Sequence, residues 1–361
     1  MYDFYFDSGT TNTRMYVFNG KEEPVYKAEK SVGSKDSALS GDKDLLAREL
    51  CLLLENGCAE LKIGRESVGE IWMSGMITSP NGIVEVPHIT VPVDLNKLAR
   101  NVFVFDEKKF FKKEIHFIPG IKSFPAEGKI TAENVDSINN MRGEETEICG
   151  IMSSFPASNS ASALKGNFIF VLPGSHTQVA AVKDGSIVNI VSTITGELFK
   201  ALKSQTILAS ALEGGYEKID TEMVRLGYRN LQKYGFNRAI YIDRSLLLFT
   251  DSTAEQRHSY LEGVLNGGVL QAVSAAFGGK PDKNPKTQNK AEDKNRTLKK
   301  LGEPIDMYIC GSENQFQIYK AIAEDSFPEY SVKRMECGSI PFSALGYKAV
   351  AAEYKTLQPI P

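Results

Sequence analysis

The feature that most restricts the fold is a pattern that occurs twice. Residues 2 to 18, YDFYFDSGTTNTRMYVF, run as an apolar strand into seven small or polar residues, Asp7 to Thr13, and then become strand-like again. Ordinary hairpin chemistry needs only a Gly or Asn or two at such a place, so the surplus of hydroxyls and the single acid ask for another explanation. The arrangement returns near residue 167: Asn167 to Leu172 reads as a strand, Pro173-Gly174-Ser175-His176 as a tight polar turn, and Thr177 to Val182 as a second strand. Asp184-Gly185 marks another hairpin, and a helix is expected from about Glu197, with Leu198 and Leu202 on one face. Little residue identity links the two stretches, so the repeat is architectural and predicts a duplicated α/β fold.

The segments between fit that plan. DKDLLARELCLLLENG places Leu46, Leu50, Leu53 and Leu54 on one helical face, with Gly57 expected as the C-cap. Glu70 to Met73 is a short strand running into the polar residues Ser74 to Ser79. In the tail, Pro304 to Cys310 and Tyr330 to Met335 read as strands, each leading through a glycine, Gly311 or Gly338, into a helix. The stretch MSSFPASNSASALKG, residues 152–166, is small, polar and Pro-bearing, which suits a linker and divides the chain into domains at 1–155 and 165–361. Residues 280–300 are nearly devoid of apolar side chains and are expected to be a disordered insertion whose deletion leaves turnover intact.

With 361 residues the chain can bury two cores. A net charge of -3 and a pI near 6.0 predict no broad attraction to nucleic acid or anionic membrane, which leaves a small molecule as the expected partner. The cysteines, Cys51, Cys58, Cys149, Cys310 and Cys337, are odd in number and lack CxxC spacing, so they signal neither a disulfide framework nor a zinc site and read as reduced thiols. The chain opens on a strand instead of a charged-then-apolar leader, and no apolar run is long enough to cross a bilayer. A cytoplasmic protein is expected, and a homo-oligomer is compatible with this composition.

The polar turns have a chemical use. Consecutive backbone N–H groups in a tight turn cradle a tetrahedral polyanion when the side chains are small enough to let it approach. Gly9 permits that approach, Thr10, Thr11 and Thr13 offer hydroxyls, and Asp7 at the strand end can hold a magnesium ion through its waters. The plainer reading is a surface turn whose hydroxyls satisfy their own backbone. The second turn, Gly174-Ser175-His176, repeats the recipe, and two such cradles facing one another across a cleft would grip the β- and γ-phosphates of a nucleotide. No GxxxxGK[ST], no GxGxxG after a strand and no HExxH accompanies them.

The run Asp7-Ser8-Gly9-Thr10-Thr11-Asn12-Thr13-Arg14 resembles the phosphate-1 loop of the actin-like ATPase and sugar-kinase superfamily. Together with GMITSPNGIVEVP (75–87), IPGIK (118–122), MRGEETEICG (141–150), LPGSHTQVAAVKDGSI (172–187), TITGELFKALKSQTIL (193–208), YLEGVLNGG (260–268) and YICGSENQFQIYKAIA (308–323), it is similar to the 2-dehydro-3-deoxygalactonokinase family. That resemblance implies an α/β fold of two ribonuclease H-like (actin-like ATPase) domains with an interdomain cleft. It also implies ATP-dependent phosphorylation of 2-dehydro-3-deoxy-D-galactonate to its 6-phosphate, in galactonate catabolism, with Mg2+. Gly268-Val269 stands where the family usually carries a Glu shortly after the YLxG motif, and the Lys-rich insert is foreign to it.

Roles follow from the resemblance and from chemistry together. Glu144, just after Gly143 at an expected helix start, is the first candidate for the base, with Glu145 as runner-up or magnesium ligand; both also suit ordinary first-turn dipole partners. Arg142 is the candidate for the substrate carboxylate, and Ser74, Gly75, Thr78 and Ser79 form a polar turn at a strand end that suits substrate hydroxyls. Gly9, Thr10, Thr11, Asn12, Gly174, Ser175 and His176 are assigned to the nucleotide phosphates, Gly311 and Ser312 to the adenosine, and Asp7 to the metal. Arg14 faces the phosphates or forms a structural pair. The rivals are a kinase of another sugar or sugar acid on the same fold, and a non-catalytic sugar-acid or nucleotide-binding regulatory protein.

Overall fold

A computed structural model of the protein describes residues 1–123, 129–155, 165–277 and 304–358. The insertion expected at 280–300 and most of the linker expected at 152–166 lie outside the described residues. The chain forms two compact units, the first made of Met1–Lys165, Asp184–Ile187 and Cys337–Pro361, the second of Gly166–Lys183 and Val188–Glu336.

The main sheet of the first unit contains β1 (Tyr2–Ser8), β2 (Thr13–Phe18), β3 (Tyr26–Lys30), β4 (Val68–Gly75), β6 (Phe103–Glu107) and β7 (Lys113–Phe117), in the order β3-β2-β1-β4-β7-β6. Strand β1 is antiparallel to β2 and parallel to β4. A small sheet beside it holds β5 (Ile89–Thr90), β8 (Ile121–Lys122) and β9 (Asn140–Met141). In the second unit β10 (Asn167–Leu172), β11 (Thr177–Lys183), β12 (Ser186–Thr193), β13 (Ile305–Ile309) and β14 (Tyr330–Arg334) take the order β12-β11-β10-β13-β14. Here too the first strand is antiparallel to the next in sequence and parallel to a later one. Both sheets thus share one wiring, the duplicated α/β fold expected from the strand-turn-strand repeat. The Asp184-Gly185 hairpin is also present, with φ of 48° and 76° as a type I′ turn requires.

Central strands paired in parallel are covered on both faces, which is why β1 is apolar at consecutive positions. Phe4 and Phe6 pack into one core together with Leu46, Leu50, Leu53 and Leu54 of the helix Leu45–Glu60. That helix runs through Gly57, which is therefore not its cap; a Cβ there would come within 2.8 Å of Met15, so the glycine serves close packing on the sheet. Tyr5 points to the other face, where its ring stacks on Tyr347 at 4.7 Å and 5°.

Tyr347 belongs to the C-terminal helix Phe342–Leu357, and this corrects the domain boundary expected at 165–361. Residues 337–361 return to the first unit. The cause lies in two glycines: a Cβ on Gly150 would sit 1.9 Å from the Phe342 carbonyl oxygen, and one on Gly346 would sit 1.7 Å from that of Thr146. Only paired glycines allow the helices Glu144–Ser154 and Phe342–Leu357 to touch backbone to backbone.

The second unit uses the same device. The helices Thr221–Tyr234 and Ala254–Phe277 meet where a Cβ on Gly227 would lie 2.1 Å from the Tyr260 carbonyl oxygen and one on Gly263 2.1 Å from that of Val224. The YLEGVLNGG motif therefore carries packing glycines. The five cysteines are free, and among the described residues no helix is long and apolar enough to cross a membrane.

Candidate active site

The turn after β1 is closed by a hydrogen bond from the Gly9 N–H to the Asn12 carbonyl, 2.8 Å. The N–H groups of Thr10, Thr11 and Asn12 donate to no acceptor among the described residues, the condition for an anion cradle. Behind the turn, Gly33 packs so closely that a Cβ would sit 2.4 Å from the Thr10 carbonyl oxygen. The following N–H groups, of Ser34 and Lys35, donate to the carbonyls of Gly9 and Thr10. Thr13 departs from expectation: it is fully buried, donates from Oγ1 to the Val32 carbonyl and accepts from Ser8 Oγ, so it offers nothing to a phosphate. Arg14 lies opposite Asp7 in the strand register and reaches Glu29 at 3.7 Å with both side chains about half exposed, so this pair contributes little.

Asp7 sits at the end of β1, half-buried, and its neighbours are acids. Gly143, at φ 111°, opens the helix Glu144–Ser154, and a side chain there would be both strained and 3.3 Å from the Cα of Gly75. Glu144 and Glu147 stand three residues apart on one face of this helix. Burial, then the neighbouring Glu145 carboxylate, pushes Glu144 up to about 8. Glu147 is also raised, by burial and then by the negative charges of Asp7 and Glu144. Asp7 itself is raised by burial, opposed by the Ser343 hydroxyl and by Arg14. Asp7 thus raises the proton affinity of both glutamates, and Glu144 that of Glu147. Glu147 was absent from the sequence candidates, although its i+3 spacing from Glu144 was visible.

Glu145 has another task. It is fully buried, and both of its oxygens accept from the Gly143 N–H, at 2.9 and 2.8 Å. That bond caps the helix, so the side chain expected as a second base is tied to its own backbone.

The residues expected to line the substrate divide in the same way. Ser74 is fully buried and bonded to the Tyr5 hydroxyl at 2.7 Å. Thr78, also fully buried, donates to the Gly75 carbonyl and accepts from Arg142 Nη1. Gly75, at φ 91°, lets β4 pass the Ser8 carbonyl, which a Cβ would approach to 2.3 Å, while the Ser79 hydroxyl is buried without a partner. This expected polar lip is an internal brace, and what it braces is Arg142. Arg142 Nη1 also donates to the Val86 carbonyl and Nη2 to His88 Nδ1, which leaves two of the five guanidinium N–H donors for a ligand. Burial, then the Arg142 charge, lowers His88 to about 4, so the ring is neutral, and with Nδ1 accepting, its proton is on Nε2.

The second unit holds the matching turn. Among the described residues the N–H groups of Gly174, Ser175 and His176 donate to no acceptor. Behind them a Cβ on Gly196 would lie 2.3 Å from the Gly174 carbonyl oxygen, and the Glu197 N–H donates to that of Ser175. His176 reaches Glu197 at 3.6 Å, both exposed. Ser312 is a helix cap: its Oγ accepts from the Gln315 N–H while its own N–H donates to Gln315 Oε1 at 2.8 Å. A Cβ on Gly311 would lie 2.3 Å from Gln315 Oε1 and would displace that amide from the cap.

Among the described residues no group of three or more His, Cys, Asp or Glu side chains is spaced to hold a metal ion by itself. Asp7 at the edge of an anion cradle still suits magnesium, which takes one or two carboxylates and completes its shell with water and substrate phosphates.

Comparison with known proteins bears on the family and the fold. The sequence pattern of the 2-keto-3-deoxy-galactonokinase family matches residues 7–285. The 2-dehydro-3-deoxygalactonokinase of Escherichia coli (strain K12) is 23% identical over 209 residues, 58% of this chain and 63% of that protein. DgoK1 of Rhizobium meliloti (strain 1021) is 23% identical over 206 residues, 57% of this chain and 58% of that one. The chain thus spans about three fifths of the length of these curated relatives. A crystal structure of a Sinorhizobium meliloti protein assigned as a 2-dehydro-3-deoxygalactonokinase superposes with a TM-score of 0.69 at 16% identity, covering 99% of this chain and 97% of the other, a likeness of fold. With the family pattern spanning more than three quarters of its length, the chain belongs to the 2-keto-3-deoxy-galactonokinase family.

Proposed function

We propose that the protein transfers the γ-phosphoryl group of ATP to the 6-hydroxyl of 2-dehydro-3-deoxy-D-galactonate, a step of galactonate catabolism. The observation that carries this reading is the turn after Asp7 with three open backbone N–H groups, in the same unit as a helix that starts with Glu144, Glu145 and Glu147. Such a turn suits a phosphate group, and the acidic helix start offers a proton acceptor.

In this reading the turn at Gly9–Asn12 is a nucleotide-phosphate contact of the first unit, and the turn at Gly174–His176 a phosphate contact of the second, where Gly311 and Ser312 take the adenosine. Arg142 directs its two remaining donors at the substrate carboxylate, held in place by Thr78, Val86 and His88. Glu144 accepts the proton of the acceptor hydroxyl as the oxygen bonds to the γ-phosphorus and the bond from that phosphorus to the β-γ bridging oxygen breaks, releasing ADP. A magnesium ion, which Asp7 would hold, would supply positive charge that offsets charge on the transferring group. Burial and then the Glu145 carboxylate hold Glu144 up to about 8, so its fraction in the ionised, proton-accepting form rises with pH through that range.

The test is ADP release from ATP and magnesium with 2-dehydro-3-deoxygalactonate, its gluconate epimer and plain hexoses in parallel, with Glu144→Gln as control. Turnover on the galactonate acid alone, lost in the variant, supports substrate and base together. ATP binding without turnover on any acid sinks the kinase reading in favour of a binding protein.

A further inference from the structure

We propose that His88 is a positioning residue that turns one edge of the Arg142 guanidinium, the edge carrying Nε–H and an N–H of Nη2, toward a ligand carboxylate. The proposal rests on the reading of Arg142 as the residue that meets the substrate carboxylate. It gives that reading a direction, a two-point grip from one fixed side.

The contact follows from the register of the small sheet. Ile89 of β5 pairs with Ile121 of β8, and Ile121 pairs with Met141 of β9, so the next row across the three strands is His88, Gly120, Arg142. The Ile89 N–H donates to the Gly120 carbonyl at 3.0 Å, which carries the pairing into this row. Neighbouring strands lie about 4.8 Å apart, so a side chain in the middle of the row would keep the outer two from meeting. Glycine stands there instead: a Cβ on Gly120 would come within 2.6 Å of Arg142 Cγ and 3.0 Å of His88 Cδ2. Across the space it leaves, His88 Nδ1 lies 3.3 Å from Arg142 Nη2. A guanidinium has donors only, so Nδ1 accepts. This is the one side-chain hydrogen bond of the ring among the described residues, since Nε2 is buried without a partner. Buried polar atoms that serve the fold alone are paired as a rule. At the other end of the guanidinium, Nη1 donates to Thr78 Oγ1 at 2.7 Å and to the Val86 carbonyl at 3.0 Å. Those two bonds pin one end of the plane, and the bond to His88 stops it from turning about that end. What remains is Nε–H and one N–H of Nη2, neighbours on a single edge of the plane, which match the two oxygens of a carboxylate.

The test is isothermal titration calorimetry of the full chain with 2-dehydro-3-deoxygalactonate, and with the 3-deoxyketohexose that carries a hydroxymethyl group in place of the carboxylate. The proteins are the wild type, His88→Ala, His88→Asn and Arg142→Lys, with thermal midpoints measured alongside. Removing the ring should weaken the acid about tenfold, leave the neutral sugar unchanged and move the midpoint little. Asparagine, whose Oδ1 takes the place of Nδ1, should restore most of the affinity. Wild-type affinity for the acid in His88→Ala, with weakened binding in Arg142→Lys, overturns the proposal and leaves the reading of Arg142 standing. Equal weakening of both ligands, or of the acid in both histidine variants with a lowered midpoint, also overturns it, as a packing effect. Wild-type affinity for the acid in Arg142→Lys, or no binding of the acid by the wild type, removes the reading of Arg142 and the proposal with it.

Discussion

The two polar turns are built alike and surrounded differently. Each leaves three consecutive N–H groups open, and each is backed by a glycine, Gly33 or Gly196, whose missing Cβ lets a helix start press on the turn. Around the first turn stand Asp7, Glu144 and Glu147, with raised proton affinities. Beside the second are exposed His176 and Glu197. A backbone cradle is thus a part that duplication copies whole, because it depends on chain direction and glycine. Chemistry depends on side chains brought from elsewhere, and only the first cradle received the helix Glu144–Ser154.

The sharpest way to break this contrast is Glu144→Gln, which should lower kcat by about 10² to 10⁴ with KM for ATP nearly unchanged, in steady-state kinetics. A KM effect instead would place Glu144 on the binding side, alongside the second turn. Next are the backing glycines. Gly33→Ala and Gly196→Ala each force a Cβ into a carbonyl, and each should raise KM for ATP by about tenfold or more; a large difference between the two variants would show that the turns are not equivalent grips.

The second unit has its own buried acid, away from its turn. Asp243 is fully buried, neither oxygen has a hydrogen-bond partner, and burial, opposed by Arg257, pushes it up to about 7. The folded protein therefore keeps a proton that the unfolded chain releases, so this group's stabilisation declines as pH rises from its ordinary value of 3.8 through about 7 and is level above. Asp243→Asn should raise the thermal midpoint at pH 8, by at most roughly 4 kcal/mol in stability, and change it little at pH 3.5. The smallest effect belongs to His176→Ala, whose exposed pairing predicts less than about a fivefold change in kcat/KM. A larger loss would make the second turn chemically active.

Much of the fold was legible in sequence, because its cause is local. Alternating and continuous apolar runs mark β1, β2, β10 and β11, the leucines of Leu45–Glu60 mark its buried face, and Asp184-Gly185 marks its hairpin. Site residues were less legible, because composition does not say which hydroxyl is already satisfied. Ser74, Thr78 and Thr13 look like donors to a ligand and are bonded inside the protein, while Glu145 looks like a base and caps its helix.

By itself the sequence determined the repeated strand-turn-strand plan, the open backbone of both turns and the acid-rich helix start, all of which follow from residue size, periodicity and glycine within a few positions. Only the tertiary structure decided that residues 337–361 pack against the N-terminal strands, that Glu147 joins Asp7, and that Arg142 is held by Thr78 and His88. Those choices depend on contacts between segments tens to hundreds of residues apart, and pairings at that distance are settled by close packing and the satisfaction of buried polar groups, which no local pattern encodes.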